Sequence, residues 1–229
     1  ERGITVTSAA TRCTWNGYDI NIIDTPGHID FTAEVERSLR ILDGAVVIFC
    51  GRGGVEPQSE TVWRQADKYR IPRIAYINKM DAVGADFFRV VEQIKNQLGA
   101  IPLVLQMPVY EKENFVGIID LINMNYLNFT GQHGREVHEG DIPPVYQQTA
   151  REWRQVMVEK LAEFNDEILE MYFAEETVPA EILKKAVREN TLNNNLVPVS
   201  CGSSYRNIGV QSLLDAVTDY LPSPLDVDA

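Results

Sequence analysis

Three cysteines in 229 residues, Cys13, Cys50 and Cys201, are too few and too scattered for a disulfide framework. No two of them share the CxxC spacing that would hold zinc. No apolar run approaches the roughly 18 residues that a membrane-spanning helix needs. The opening Glu1-Arg2-Gly3-Ile4 carries no signal-peptide pattern. Basic residues are outnumbered, 21 Lys and Arg against 33 Asp and Glu, for a net charge of −12. That deficit argues against a fold that coats nucleic acid with a basic face, while a nucleoprotein partner held through a small patch stays compatible with it. Internal repeats and low-complexity tracts are missing as well. What is present is 45% hydrophobic and 9% aromatic composition, enough apolar surface to close a core at this length. The expectation is an acidic, globular, cytoplasmic chain with no membrane partner.

Strand and helix signals alternate over the first hundred residues. Strands over 11–15 and 18–24 meet at Asn16-Gly17, two residues that tolerate positive φ in a hairpin turn. A helix is expected over 31–41 and a strand over 45–49, whose unbroken apolar run predicts burial on both faces. A helix over 58–69 and a buried strand over 73–77 follow. Phe87, Val90, Val91, Ile94 and Leu98 mark one apolar helix face, closed by Gly99. The pattern then changes to short strands over 103–108, 115–122 and 126–130, a polar acidic loop over 131–144, and helices over 145–164, 166–173 and 180–190. A buried strand over 196–201 and a helix over 210–220, stopped by Pro222 and Pro224, restore the first pattern. The expected architecture is α/β, a mixed, mostly parallel sheet with helices on both faces, interrupted by an α+β insertion subdomain. The division is 1–102 for the first part of the core, 103–192 for the insertion and 193–229 for the last strand and helix.

In such sheets ligands sit beyond the carboxyl ends of the strands. Asp24-Thr25-Pro26-Gly27-His28 follows the second strand. A carboxylate there can hold Mg²⁺, and Gly27 lets a backbone N–H approach a phosphate oxygen. Asn78-Lys79-Met80-Asp81 follows the strand over 73–77. Asp81 can accept from the N1–H and exocyclic amine of guanine, a donor pair that adenine lacks, while the Lys79 stem can lie along the ring. Cys201-Gly202-Ser203-Ser204 follows the last strand and can bring a backbone N–H to the guanine O6. Upstream, the Thr5 hydroxyl suits Mg²⁺, and a loop tethered through it would order only around a terminal phosphate. Phosphate and Mg²⁺ sensing first, guanine reading second, is the layout of a GTP-dependent switch.

These strings resemble the translational GTPases, and among them the elongation factor G family most closely. The likeness runs through Glu1-Arg2-Gly3-Ile4-Thr5, Asp24 to Phe31, Glu34 to Ser38, Gly54 to Ala66, Asn78 to Asp81 and Tyr220-Leu221-Pro222-Ser223-Pro224, and it includes the insertion. The resemblance implies a P-loop NTPase-type G domain with a G′ insertion, GTP or GDP with Mg²⁺ as bound groups, and GTP hydrolysis. By the same resemblance Thr5 and Asp24 hold the metal and Gly27 meets the γ-phosphate. His28 orients the attacking water. Asn78, Lys79, Met80 and Asp81 bind guanine, with Thr25 and Pro26 beside the phosphates and Ser203 and Ser204 closing over the base. The implied partners are the ribosome, through the GTPase centre and stalk protein of its large subunit, and tRNA and mRNA indirectly, for a monomer that drives translocation. The family's GxxxxGK[ST] loop occurs nowhere in the sequence, so the chain is expected to be a piece of a longer protein. Ser204 stands where the family commonly has Ala, and Ala82 where it often has Arg.

The motifs also admit a paralogous translational GTPase of ribosome recycling, peptide release or ribosome protection, and a ribosome-binding module without hydrolysis. His133 and His138, with Glu136, Glu139 and Asp141 nearby, read as a solvated loop rather than a metal site, because no third His or Cys joins them. Trp63 and Cys201 read as packing residues. The acidic run Glu159, Glu163, Asp166, Glu167, Glu170 reads as a wet helix face or, by resemblance, as a surface for the stalk protein.

Overall fold

The computed structural model describes residues 9–25 and 32–226. Strands β1 (Ala9–Trp15) and β2 (Tyr18–Asp24) form the expected hairpin. Its two turn residues, Asn16 at φ 49° and Gly17 at φ 80°, both take the left-handed conformation that matches the twist of the flanking strands. This hairpin is a two-stranded sheet of its own. The first of two four-stranded sheets is parallel throughout among the described residues. It runs β3 (Ala45–Cys50), β4 (Arg73–Asn78), β10 (Val197–Cys201), β5 (Pro102–Val104) in spatial order. The mixed character expected of the core thus belongs to the molecule and not to that sheet.

Between these strands run α1 (Thr32–Leu39), α2 (Pro57–Lys68), α3 (Phe87–Leu98), α4 (Pro144–Ala162), α5 (Asp166–Phe173), α6 (Ala180–Leu192) and α7 (Val210–Tyr220). Helix α3 shows why the periodicity was readable. Phe87, Val90, Val91 and Ile94 are its buried stripe, the Asp86 carboxylate accepts from the Arg89 N–H at 3.0 Å, and Gly99 ends it at φ 66°. Helix α7 is tied to the hairpin turn, where Asp215 Oδ1 accepts from Trp15 Nε1 at 2.8 Å and Asn16 Nδ2 at 2.9 Å.

Three sequence expectations are corrected. The strand expected over 103–108 is two strands in two sheets. β5 stays in the parallel sheet, Leu105 donates to the Val199 carbonyl at 3.0 Å, and β6 (Gln106–Glu111) then opens an antiparallel sheet. That second sheet runs β6, β7 (Asn114–Asp120), β8 (Asn125–Thr130), β9 (Glu136–Gly140). Strand β9 lies in the stretch expected to be loop. Every one of its residues is exposed, so the alternation that would betray a strand is missing, and its pairing with β8 alone creates it. Finally, β3 is not buried on both faces. It pairs only with β4 among the described residues, and Ile48 on it is 58% exposed.

One continuous core joins both sheets. Ile74, Ile77 and Val199 of the parallel sheet share it with Ile118 and Ile119 of the second sheet and with Leu161 and Leu183 of α4 and α6. A smaller cluster, Val35, Leu39, Ala66 and Ile71, seats α1 on α2. Trp63 is buried against Phe49, and the Arg73 guanidinium lies 4.7 Å from the Trp63 ring centre. Cys201 is fully buried, as its packing role requires.

Candidate functional site

Three strand ends of the parallel sheet converge, and backbone hydrogen bonds lace them together. Gly51, after β3, donates to the Asn78 carbonyl at 2.7 Å. Gly202, after β10, donates to the Ile77 carbonyl at 3.0 Å, and its own carbonyl accepts from the Met80 N–H at 3.1 Å. A side chain on Gly202 would collide with the Tyr76 hydroxyl and the Ile208 carbonyl, so the close approach of the last two loops depends on its lack of one. A Cβ on Gly51 would press on the Met80 sulfur at 2.9 Å.

Asn78 is the hinge of this arrangement. Its Oδ1 accepts from the Lys79 N–H at 2.8 Å and from the Ser204 N–H at 2.9 Å, joining the loop after β4 to the loop after β10. Lys79 sits at φ 60°, a left-handed turn that an L residue adopts at a cost of about 1–2 kcal/mol. That turn reverses the chain between Asn78 and Met80. Met80 is fully buried and faces the core, so it anchors the loop, while the half-buried Asp81 follows it toward the surface. The hydroxyl of Tyr110, on β6 in the second sheet, donates to the Met80 carbonyl at 2.8 Å. Burial pushes that hydroxyl well above its ordinary pKa, which keeps it a donor at any ordinary pH. Burial does the same for Tyr76 beneath Gly202.

In the other loop Ser203 is buried and pairs with Ile208 in both directions, at 2.9 and 3.0 Å. Its hydroxyl accepts from the Arg206 N–H at 3.4 Å. Ser204 is exposed, and its N–H is engaged by Asn78 in this structure. The Arg206 guanidinium then reaches back across the gap, Nε lying 3.2 Å from Asp81 Oδ2. Arg206, Tyr110 and Gly202 are the parts of the site whose roles the motifs did not flag. Arg206 left only a faint signal in the sequence, a cation placed shortly after Ser204 in the loop expected to face the guanine-reading carboxylate.

The structure therefore brings together Asn78, Lys79, Met80, Asp81, Ser203 and Ser204. Asp24 belongs to the separate hairpin, and Thr25 follows it. Asp24 is the last residue of β2, paired in register with Ala9, about 20 Å along the ribbon from the turn that α7 holds. Thr5, Pro26, Gly27 and His28 lie outside the described residues. His133 and His138 are exposed, and no group of three or more metal-ligating side chains occurs among the described residues. No helix among them is long and apolar enough to cross a membrane. A cavity of about 590 Å³ lies elsewhere, between the hairpin turn, α7 and the second sheet, lined by Trp15, Asn125, Glu139, Lys184 and Asp215 among others.

Comparison with known proteins bears on this arrangement as a whole. The chain is 68% identical over 227 residues to Elongation factor G 1 of Syntrophomonas wolfei, covering 99% of this chain and 34% of that protein. It is 56% identical to Elongation factor G 2 of the same organism and 56% identical to Elongation factor G of Wolbachia pipientis, each match covering 100% of this chain and 33% of the other protein. The chain thus spans about a third of the length of these relatives. A crystal structure of a Thermus thermophilus protein superposes with a TM-score of 0.88 at 30% identity, over 97% of this chain and 33% of that one. The family model described as the elongation factor Tu GTP binding domain matches residues 1–223, and the chain belongs to that family.

Proposed function

We propose that this chain forms the GTP-binding and GTP-hydrolysing part of a ribosomal translocase of the elongation factor G kind. The observation that carries the reading is the hydrogen bond by which the Asn78 side-chain Oδ1 accepts from the Ser204 N–H, joining the loop that carries Asp81 to the loop after β10 at the carboxyl ends of two adjacent parallel strands. Asp81 offers only acceptors, and guanine offers two adjacent donors, N1–H and the 2-amino group. Asn78 and Met80 hold the loop, Lys79 covers the ring, and Ser203 and Ser204 close the other side.

For the phosphate end we propose the residues that the family resemblance supplies. Asp24 and Thr5 would hold Mg²⁺, which fits a metal that takes one or two protein oxygens and completes its shell with water and phosphate. When bound, the ion neutralises charge developing on the transferred phosphoryl group. Thr25 and Pro26 would shape the turn, Gly27 would offer its backbone N–H to the terminal phosphate, and His28 would orient the attacking water. Release of the terminal phosphate would relax both loops. The three-part organisation 1–102, 103–192 and 193–229 belongs to the same proposal, with β5 of the parallel sheet running across its first boundary. So do a monomeric state, a cytoplasmic location and the large-subunit GTPase centre and stalk protein as contacts. The exposed Phe173, one turn from Glu170 on α5, supports the stalk surface.

Asp81→Asn tests the base-reading half. An Asn amide can donate to the 2-oxo group of xanthine and no longer accepts two bonds from guanine. Hydrogen bonds to a charged partner are worth about 1.5–3 kcal/mol each, so the ratio of guanosine to xanthosine diphosphate affinity falls by about 10- to 100-fold. NMR titration of the 229-residue chain with each nucleotide reads the ratio directly. An unchanged ratio removes Asp81 from guanine recognition.

A further inference from the structure

Two loops make the base-reading cluster, and three ties join them. Two are internal: Met80 N–H to Gly202 carbonyl at 3.1 Å, and Ser204 N–H to Asn78 Oδ1 at 2.9 Å. The third is the ion pair of Arg206 Nε with Asp81 Oδ2 at 3.2 Å. It is the only one of the three made by the side chain that reads the base, and it is made by a residue no motif includes.

We propose that Arg206 is a specificity-positioning residue for guanine, holding one oxygen of Asp81 so that the carboxylate presents both oxygens to the base at once. The proposal rests on the base-reading role of Asp81 given above. Arg206 meets Asp81 as an ion pair whose recorded contact is Nε to Oδ2. A carboxylate has about four acceptor positions, so three remain for N1–H and the 2-amino group while the pair persists. The guanidinium side chain is 49% exposed and that of Asp81 only 19%. Arg206 is therefore the more exposed partner of the pair. Its own backbone is fixed by the Ser203 hydroxyl at 3.4 Å, and Ser203 is locked to Ile208. The geometry thus runs from the end of β10, through Ser203 and Arg206, to the carboxylate that sits after β4.

Fixing a carboxylate matters most when both its oxygens are used. Guanine engages both. Hypoxanthine lacks the 2-amino group and engages one, and a singly bonded carboxylate can rotate without loss. Removing Arg206 must then hurt guanine more than hypoxanthine. A half-exposed pair limits the effect to about fivefold.

The experiment compares GDP, inosine diphosphate and ADP on the 229-residue chain and its Arg206→Ala, Arg206→Lys and Asp81→Ala variants, with dissociation constants from NMR titration. The expected result is a GDP affinity weaker by about three- to fivefold in Arg206→Ala, a change below about twofold for inosine diphosphate, and recovery of most of the GDP affinity in Arg206→Lys. Tighter GDP binding in Arg206→Ala would make Arg206 a competitor for Asp81 and overturn the proposal. Equal loss for both nucleotides, or none, would also overturn it, the first by reducing Arg206 to a general support of the loops. If the unmodified chain shows no preference for GDP over ADP, or Asp81→Ala leaves that preference intact, the base-reading assignment itself fails and this one with it.

Discussion

Asn78 shows how much of the candidate site rests on one amide. Its carbonyl oxygen takes the N–H of Lys79, which leaves the turn in a left-handed conformation, and the N–H of Ser204 from a loop more than a hundred residues away. Asn78→Ala leaves two backbone donors to find other partners at the rim of a buried sheet. The expected loss is about 1–3 kcal/mol, read as a lower midpoint in urea denaturation, with the Ser204 amide losing protection from hydrogen exchange first. A variant as stable as the parent, with Ser204 still protected, would mean that backbone bonds alone align the loops. The motif string made Asn78 and Asp81 visible because their chemistry is in the side chain. Tyr110 was invisible, and the need for Gly202 in its string to lack a side chain was hidden, because both contributions depend on who stands opposite. One supplies a hydroxyl from the second sheet to the Met80 carbonyl, and the other withholds a Cβ from Tyr76 and Ile208.

Elements with a strong local signature were legible and those made by pairing were not. Helices α3, α5 and α7 fall where their apolar spacing and caps place them, because a helix face is recorded within its own sequence. Strand β9 consists of exposed residues held by β8 alone, and the break at Leu105 exists because β5 pairs with β10 while β6 pairs with β7. A run of apolar residues likewise cannot say whether its strand is central or at an edge, so the exposure of Ile48 on β3 was hidden. The segment after α7 behaves similarly. Pro222-Ser223-Pro224 reads as an exit from the fold, yet Arg188 on α6 donates to the Asp219 and Leu221 carbonyls and pairs with Asp226 at 2.9 Å. The Ser223 N–H, the Ser223 hydroxyl and then Arg188 hold the Asp226 carboxyl below its ordinary value. A carboxyl lowered in the folded state stabilises fully above its unfolded value near 4, and that contribution disappears as the pH falls through the folded value. Docking of Ser223 to Asp226 is therefore expected to be unaffected between about pH 7 and 5 and to release only below about pH 4. The Ser223 amide shift in an NMR pH titration checks this, and a transition centred near neutral pH would contradict it.

At the scale of the whole molecule, the two halves of the proposed nucleotide site are unequally equipped. The proposed base end is built from three adjacent parallel strand ends that share one core with the second sheet and are laced by backbone hydrogen bonds. The proposed phosphate end rests on Asp24, at the end of a two-stranded ribbon tied through its far turn to α7. Oxygen-rich phosphates are normally gripped by successive backbone N–H groups of a glycine-rich loop and by its lysine, and the sequence contains no GxxxxGK[ST] string to provide them. Affinity in this chain should then come from the base and hardly at all from the phosphates. GMP, GDP and GTP are expected to bind with dissociation constants within about threefold of one another, all far weaker than micromolar, while AMP binds at least about tenfold more weakly than GMP. Parallel titrations with Mg²⁺ present, by calorimetry where heats permit and by NMR where they do not, give all four values. Sub-micromolar GTP binding, or a steep gain from GMP to GTP, would mean that residues of this chain cradle the phosphates without that loop.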